Sequence, residues 1–148
     1  MRFPEILSRA LAILAESRFA LFTTIDEKGY PRSRWMTPVA IPRLPGALYA
    51  VTARGWAKAR QVAADPHVEW CVQSPGLDRI ARLQGDARIV DEPALAAEVL
   101  KAIGPNLQAF WKSNPSTKEL VVVETELRRA SIFRPLAGEL EEAEAGNE

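Results

Sequence analysis

The sequence contains few of the residues that build disulfides, zinc sites or membrane spans. Its 148 residues include one cysteine, Cys71, and one histidine, His67. A lone cysteine excludes an intrachain disulfide, and one residue of each kind cannot form a Cys/His zinc site within one chain. No apolar run approaches the roughly 20 residues that a membrane-spanning helix needs, and the charged first helix shows no secretory cleavage pattern. We therefore expect a cytoplasmic protein that does not bind membranes.

The short motifs of several large enzyme classes are also absent. The sequence has no glycine-rich phosphate loop, no dinucleotide fingerprint and no serine nucleophile elbow. His67 and Cys71 share one face of a predicted strand, but four residues of strand separate them by roughly 13 Å, too far for a nucleophile–base pair. An enzyme without an acid–base or nucleophilic set takes its chemistry from a cofactor.

Charge is unevenly distributed along the chain. The 19 basic and 19 acidic residues cancel, but residues 136–148 carry five glutamates and no base, which leaves the remainder with a net charge of +5. The acidic segment is poor in apolar residues, so we expect a disordered tail over 136–148. A charge of +5 suits small anionic ligands and is far from that of a nucleic-acid-binding domain, so we expect no nucleic-acid partner.

Alternating apolar residues and turn signals predict about seven short strands and three or so helices. The predicted strands cover residues 19–25, 30–41, 47–52, 67–73, 79–90, 120–125 and 130–134. The predicted helices cover residues 4–16, 56–64 and 92–103, with one or two further helical turns at 107–112. Because tight turns join most of the strands, the sheet is predicted to be largely antiparallel and closed or curled into a barrel. The fold class is therefore mainly β, of the α+β type.

One candidate binding segment is Val51–Lys58, where a predicted strand ends and a helix begins after Gly55. Unpaired backbone N–H groups at a helix start favour an anion, and Lys58, Arg54 and the hydroxyl of Thr52 would add to that preference. The competing and commoner interpretation is a solvated lysine on a surface helix.

A second candidate is the predicted strand around Arg34. Arg34 and Met36 would share one face of this strand, and Trp35 and Thr37 the other. An arginine inside a strand needs an acceptor, because an unpaired buried charge is costly. A phosphate or a flavin carbonyl would serve, and so would a carboxylate elsewhere in the protein.

Taken in order, these segments resemble the pyridoxamine 5'-phosphate oxidase-like family of FMN-binding split barrels, and within it the general stress proteins. The segments that carry the resemblance are FALFTTIDEKGYPRSRWM at 19–36, LYAVT at 48–52, Lys58, DPHV at 65–68 and LQGDARIVD at 83–91. The resemblance covers roughly residues 4–135.

The resemblance implies an antiparallel split β-barrel of six or seven strands with a few short helices, as one FMN-binding domain over residues 1–135. It also implies a homodimer with FMN in a groove between the subunits. By position, the strand around Arg34 would line the flavin, the segment up to Lys58 would hold the phosphate, and Trp111 would reach the cofactor of the other subunit. The cofactor-binding residues predicted in this way are Arg34, Trp35, Met36, Thr37, Val51, Thr52, Lys58 and Trp111.

Two departures from the family pattern bear on the function. Trp56 and Ala57 stand where family members that hold FMN firmly often have Ser-Arg or Ser-His, which removes a phosphate donor. The glutamate-rich tail replaces the basic C-terminal segment with which the true pyridoxamine phosphate oxidase holds its substrate, so vitamin B6 oxidation is disfavoured.

Two functions follow from the resemblance, and a third from the departures. The first is an FMN-dependent oxidoreductase that accepts hydride from a small donor such as NAD(P)H. The second is a non-catalytic flavin, deazaflavin or haem binding protein with a stress or sensor role. The third is a split-barrel dimer that has lost its cofactor and serves as an interaction module. The sequence indicates neither a catalytic residue nor a metal ligand for any of them.

Overall fold

A computed structural model describes residues 2–104 and 120–146 of the chain. The three helices of this part are α1 (Phe3–Ser17), α2 (Ala57–Ala64) and α3 (Pro93–Ile103). The seven strands are β1 (Ala20–Ile25), β2 (Pro31–Met36), β3 (Ala47–Ala53), β4 (His67–Gln73), β5 (Ile80–Val90), β6 (Leu120–Arg134) and β7 (Glu139–Glu144). None of the described helices is long and apolar enough to cross a membrane.

The strands form one antiparallel sheet in the order β2-β1-β4-β5-β6-β3, with β7 paired to β6. This arrangement confirms the predicted mainly-β, split-barrel fold. The long strands β5 and β6 pair along eleven residues of β5. On one side β4, β1 and β2 extend the sheet from β5, and on the other side β3 and β7 pair with β6. The predicted helical turns at 107–112 lie outside the described residues.

Two apolar clusters lie on the opposite faces of the sheet. Inside the curl, the rings of Phe22 and Trp70 stack with their centroids 4.1 Å apart, and α1 covers them with the apolar stripe that its sequence spacing predicts. On the outer face, α3 packs against β3 and β6. The buried side chains of this second cluster are Ile41, Tyr49, Val51, Leu95, Ala96, Val99 and Val122.

Two predicted strand boundaries are wrong. The return strand predicted over 30–41 ends at Met36, because Pro38 cannot donate a ladder hydrogen bond, and Val39 instead forms an isolated bridge with Tyr49. The strands predicted at 120–125 and 130–134 are one continuous strand, β6, because residues 126–129 pair in turn with the far parts of β3, β5 and β7.

The expectation of a disordered acidic tail is wrong for residues 139–144, which form β7 on the edge of β6. Its glutamates pair with arginines from the rest of the fold. Arg9 donates to both carboxylate oxygens of Glu141, at 2.8 and 3.0 Å, and Arg129 lies 3.1 Å from Glu142. The segment has little apolar character of its own, so these ion pairs and the ladder with β6 hold it in place.

Gly85 of β5 lies where the backbone of β6 leaves no room for a side chain. The register of the pair shifts between Gln84 and Gly85, which is the signature of a β-bulge. A Cβ at Gly85 would lie 2.0 Å from the carbonyl oxygen of Glu126, closer than any atoms can approach without moving the backbone. A bulge bends the strand that carries it and increases the local twist of the sheet.

We therefore expect Gly85→Ala to lower the free energy of unfolding by about 3 kcal/mol, the upper end of overpacking effects, because a backbone carbonyl would have to move. Gly76→Ala is the matched control, since Gly76 has a positive φ of 88° but open space around it, and its replacement costs only about 1 kcal/mol of backbone strain. Urea denaturation of both variants measures the difference. Equal losses would show that the close approach at Gly85 is not a packing constraint.

Candidate anion-binding site

Arg34 on β2 points toward the interior face of the sheet, opposite Phe22 of β1. Its Nη1 donates to the hydroxyl of Thr24 at 2.7 Å and, more weakly, to the carbonyl oxygen of Phe22 at 3.4 Å. Its Nη2 donates to Oε1 of Gln61 at 3.1 Å. All of these acceptors are uncharged, and within the described ranges no carboxylate forms an ion pair with Arg34. The guanidinium is held in place with its charge uncompensated.

Lys58 brings a second cation to the same place from the first turn of α2. Its Nζ lies 4.2 Å from the ring centroid of Trp56, and the side chain is half-buried. Burial and the positive charge of Arg34 lower the pKa of Lys58 to about 8. Burial also lowers the pKa of Arg34, with a further contribution from Arg32. A lysine whose charged form is disfavoured by burial and by a neighbouring arginine would be stabilised by a bound anion.

The hydroxyl of Thr52 is a buried polar group without a partner. Thr52 is 1% exposed, and its Oγ1 has no hydrogen-bond acceptor or donor among the described residues. It shares one face of β3 with Leu48 and Ala50, which belong to the cluster inside the curl. An unsatisfied buried hydroxyl costs about 1–3 kcal/mol, so this position requires a partner such as a ligand oxygen or a water molecule.

Arg54, the other cation of the segment 51–58, is directed elsewhere. Its Nη1 and Nη2 donate to the two carboxylate oxygens of Asp91 at 2.5 and 3.0 Å. Of the two cations that the sequence suggested for an anion at this helix start, Arg54 is neutralised by Asp91 and Lys58 is not.

The other predicted site residues are divided between different surfaces. Met36 is partly buried against the interior cluster, on the same strand face as Arg34. Trp35 points to the outer face and is 67% exposed, and Thr37 lies beyond the end of β2 in a pocket beside α1. Val51 is buried in the cluster under α3. Trp111 lies outside the described residues. One face of β2 thus carries Arg34 toward Lys58, and the other carries Trp35 away from it.

Sequence reasoning missed two residues of this site, Thr24 and Gln61. Both are buried, and the hydroxyl of Thr24 donates to Oε1 of Gln61 at 2.5 Å. Thr24 continues the interior-facing alternation of Ala20 and Phe22 along β1. Gln61 lies three residues after Lys58, on the same face of α2. These spacings were readable signals, but nothing local indicated which partners the two side chains would meet.

His67 and Cys71 offer no activated group. Nδ1 of His67 lies 3.0 Å from Asp65 and the imidazole is largely exposed, while burial raises the pKa of the Cys71 thiol. Across residues 2–104 and 120–146, no cluster of three or more histidine, cysteine or acidic side chains is arranged to hold a metal ion.

A family model described as pyridoxamine 5'-phosphate oxidase matches residues 6–131. The chain belongs to this family. The comparison with curated proteins gave no match.

Solved structures of the pyridoxamine 5'-phosphate oxidase type share the fold along nearly the whole chain. A NimC/NimA family protein of Clostridium acetobutylicum has 22% identity and a TM-score of 0.70, covering 92% of both chains. General Stress Protein 26 of Bacillus anthracis has 19% identity and a TM-score of 0.68, covering 93% of this chain and 98% of its own. A pyridoxamine 5'-phosphate oxidase-related, FMN binding protein of Nostoc punctiforme has 17% identity and a TM-score of 0.66, covering 96% and 95%.

Other structures of this fold carry names with different ligands. One is a heme binding protein of Mycobacterium smegmatis, of which this chain spans 57%, and another is an F420 reductase. At these identities the likeness shows the fold and leaves the ligand of this chain open.

Thr52 provides a test of the site that needs no ligand. We expect Thr52→Val, which removes the orphaned hydroxyl at constant shape, to raise the free energy of unfolding by about 1 kcal/mol. Thr125→Val is the matched control, because Thr125 is equally buried but accepts a hydrogen bond from Nε1 of Trp70 at 3.0 Å. Thr125→Val should lower the free energy of unfolding by about 1–3 kcal/mol. Thermal or urea unfolding measures both, and a loss of stability in Thr52→Val would mean that its hydroxyl has a partner within the fold.

Proposed function

We propose that this protein binds FMN and acts as a flavin-dependent oxidoreductase. The observation that carries the proposal is the pair of cations, Arg34 and Lys58, which no carboxylate of the described residues neutralises. The orphaned hydroxyl of Thr52, on the strand that leads into α2, supports it. A phosphate monoester supplies the dianion and the acceptor oxygens that such donors need.

The residues of the chain would bind and orient the cofactor. Lys58, Arg34 and Thr52 would hold the phosphate, and Met36 would offer an apolar surface on the same side of β2. Bound FMN supplies hydride and electron transfer through its ring, with a small donor such as NAD(P)H as the proposed source of hydride. The protein contributes binding, orientation and positive charge, as expected for a site without its own acid–base pair.

The second candidate function is a non-catalytic flavin, deazaflavin or haem binding protein with a stress or sensor role. One observation favours it: among the described residues neither His67 nor Cys71 forms a hydrogen bond with the cation pair. The names of the F420 reductase and the heme binding protein supply the alternative ligands. F420 also carries phosphate, whereas haem presents carboxylates, so the site as built favours a flavin or a deazaflavin.

The absorbance spectrum of the freshly purified protein, followed by titration with FMN, tests the cofactor. We expect flavin bands or saturable binding with a change of flavin fluorescence. Riboflavin, which has the same ring without the phosphate, should bind at least tenfold more weakly. Equal affinity for FMN and riboflavin would show that the phosphate does not contribute to binding. Binding of F420 or haem with no binding of FMN would favour the second function. Steady-state reduction of the bound flavin by NADPH would separate an enzyme from a storage protein.

Lys58→Met should weaken FMN binding by roughly 10- to 100-fold, because a charge-assisted hydrogen bond contributes about 1.5–3 kcal/mol. Riboflavin affinity should stay unchanged. Lys28→Met is the matched control, since Lys28 lies exposed in the turn between β1 and β2. An equal loss of FMN affinity in Lys28→Met, or no loss in Lys58→Met, would show that Lys58 does not bind the phosphate.

The lowered pKa of Lys58 also predicts a pH dependence. The protonated amine binds the phosphate, so FMN affinity should fall as the pH rises through and beyond about 8, with bound phosphate displacing the transition upward. Lys58→Arg keeps the charge throughout this range and should flatten the profile between pH 7 and 9. Riboflavin provides the baseline, because it shares the ring ionisation of FMN. A decline of the same size in Lys58→Arg would assign the effect to another group.

We propose further that the protein is a homodimer with the cofactor at the subunit interface. In the described residues β2 pairs only with β1, so its other edge is free, and Trp35 and Phe19 are 67% and 51% exposed beside it. They line a groove of about 510 Å³ with Leu21 and Cys71. An exposed aromatic groove next to a free strand edge is a surface that a second chain would cover.

Trp35→Glu should convert the dimer to a monomer in sedimentation velocity, because a charge would enter the apolar contact. FMN binding should weaken as well, because a monomer would lose the partner's half of the proposed interface site. Tyr30→Glu is the control, as Tyr30 is similarly exposed, at 66%, but lies outside the groove. A dimer that survives Trp35→Glu would place the interface elsewhere.

A further inference from the structure

Gln61 connects three elements through a single oxygen atom. Its Oε1 accepts from Thr24 of β1 at 2.5 Å and from Arg34 of β2 at 3.1 Å, while its backbone belongs to α2, which also carries Lys58. The side chain is 8% exposed, so water contributes little to these contacts. Gln61 therefore links the helix that carries Lys58 to the guanidinium of Arg34, which Thr24 also binds.

The direction of the hydrogen bonds in this group is determined by its chemistry. A guanidinium only donates, so the hydroxyl oxygen of Thr24 accepts from Arg34 and its proton is free to go to Gln61. The atom of Gln61 that faces both donors must then be its oxygen. The three side chains form a closed ring, Arg34 to Thr24 to Gln61 and Arg34 to Gln61, in which each donor has an acceptor.

An amide at this position differs from a carboxylate in one decisive respect. A carboxylate would accept the same two hydrogen bonds, but it would also form a charge-assisted pair with Arg34 and attract Lys58, three residues earlier on the same helix face. Its single negative charge would offset one of the two positive charges from within the protein, as Asp91 does for Arg54. The amide orients Arg34 without consuming its charge.

We propose that Gln61 is a positioning residue that sets Arg34 and Lys58 relative to each other and, being uncharged, keeps both available to a phosphate-bearing ligand. This inference rests on the proposed function and deepens it, because it names the residue that makes the site selective for an anion. Gln61 itself does not touch the phosphate.

The first test compares Gln61→Glu with Gln61→Met, using FMN and riboflavin as probes. Gln61→Glu should weaken FMN binding by at least tenfold and leave riboflavin binding unchanged, which removes the preference for FMN. Gln61→Met keeps the length and the neutrality of the side chain but cannot accept the hydrogen bonds. It should weaken FMN binding severalfold, because only the placement of Arg34 is disturbed. Gln73→Glu, the same charge change at an exposed position of β4, should have no effect. Unchanged FMN affinity in both Gln61 variants would overturn the proposal.

The second test measures the pKa of Lys58 in the ligand-free protein, so its outcome does not depend on FMN. The pKa of Lys58, followed by NMR of its side-chain methylene next to Nζ, should lie near 8 in the parent protein. Gln61→Glu should raise it by at least one unit, and Gln73→Glu should leave it where it is. A protein that binds no FMN but shows this rise refutes the proposed function and supports the role of Gln61. A Lys58 pKa that is unmoved in a folded Gln61→Glu variant refutes the role of Gln61 whatever the ligand.

Discussion

The pairing of β5 with β6 is the interaction on which the rest of this structure depends. These two strands lie at the centre of the sheet. On one side, β4 pairs with β5 and β1 pairs with β4. On the other side, both β3 and β7 pair with β6. Their backbones leave no room for a side chain at Gly85, beside a bulge of the kind that bends and twists a sheet. The curl creates an interior in which Phe22 stacks on Trp70, and it brings the end of β1 under α2.

The candidate site is a consequence of that closure. Arg34 lies on a strand at one edge of the sheet, whereas Lys58 and Gln61 lie on a helix that follows the strand at the other edge. Curling the sheet brings the two edges near each other, and the neutral acceptors on Thr24 and Gln61 hold Arg34 without cancelling its charge. The orphaned hydroxyl of Thr52 and the lowered pKa of Lys58 are the two features that the proposed phosphate ligand would satisfy.

Much of the fold was predictable because its signals are local. Alternation in β1 and β4, the apolar stripe of α1 and the turn residues between strands depend on neighbours a few positions apart. The prediction went wrong where distant groups decide the outcome. The acidic segment 139–144 forms a strand because it pairs with residues 129–134 of β6, where Glu141 also meets Arg9 from more than a hundred residues earlier. Residues 126–129 joined two predicted strands into one because other strands flank them.

Signals carried by adjacent residues predicted a largely antiparallel sheet and the basic candidates Arg34, Arg54 and Lys58. The resemblance of the ordered segments to the pyridoxamine 5'-phosphate oxidase family implied the split barrel. The folded structure shows which of these cations is paired with a carboxylate. Arg54 meets the carboxylate of Asp91, and Arg34 meets the amide of Gln61. Each partner is tens of residues away in the sequence, and the difference between them is set by how the curled sheet brings the edges together.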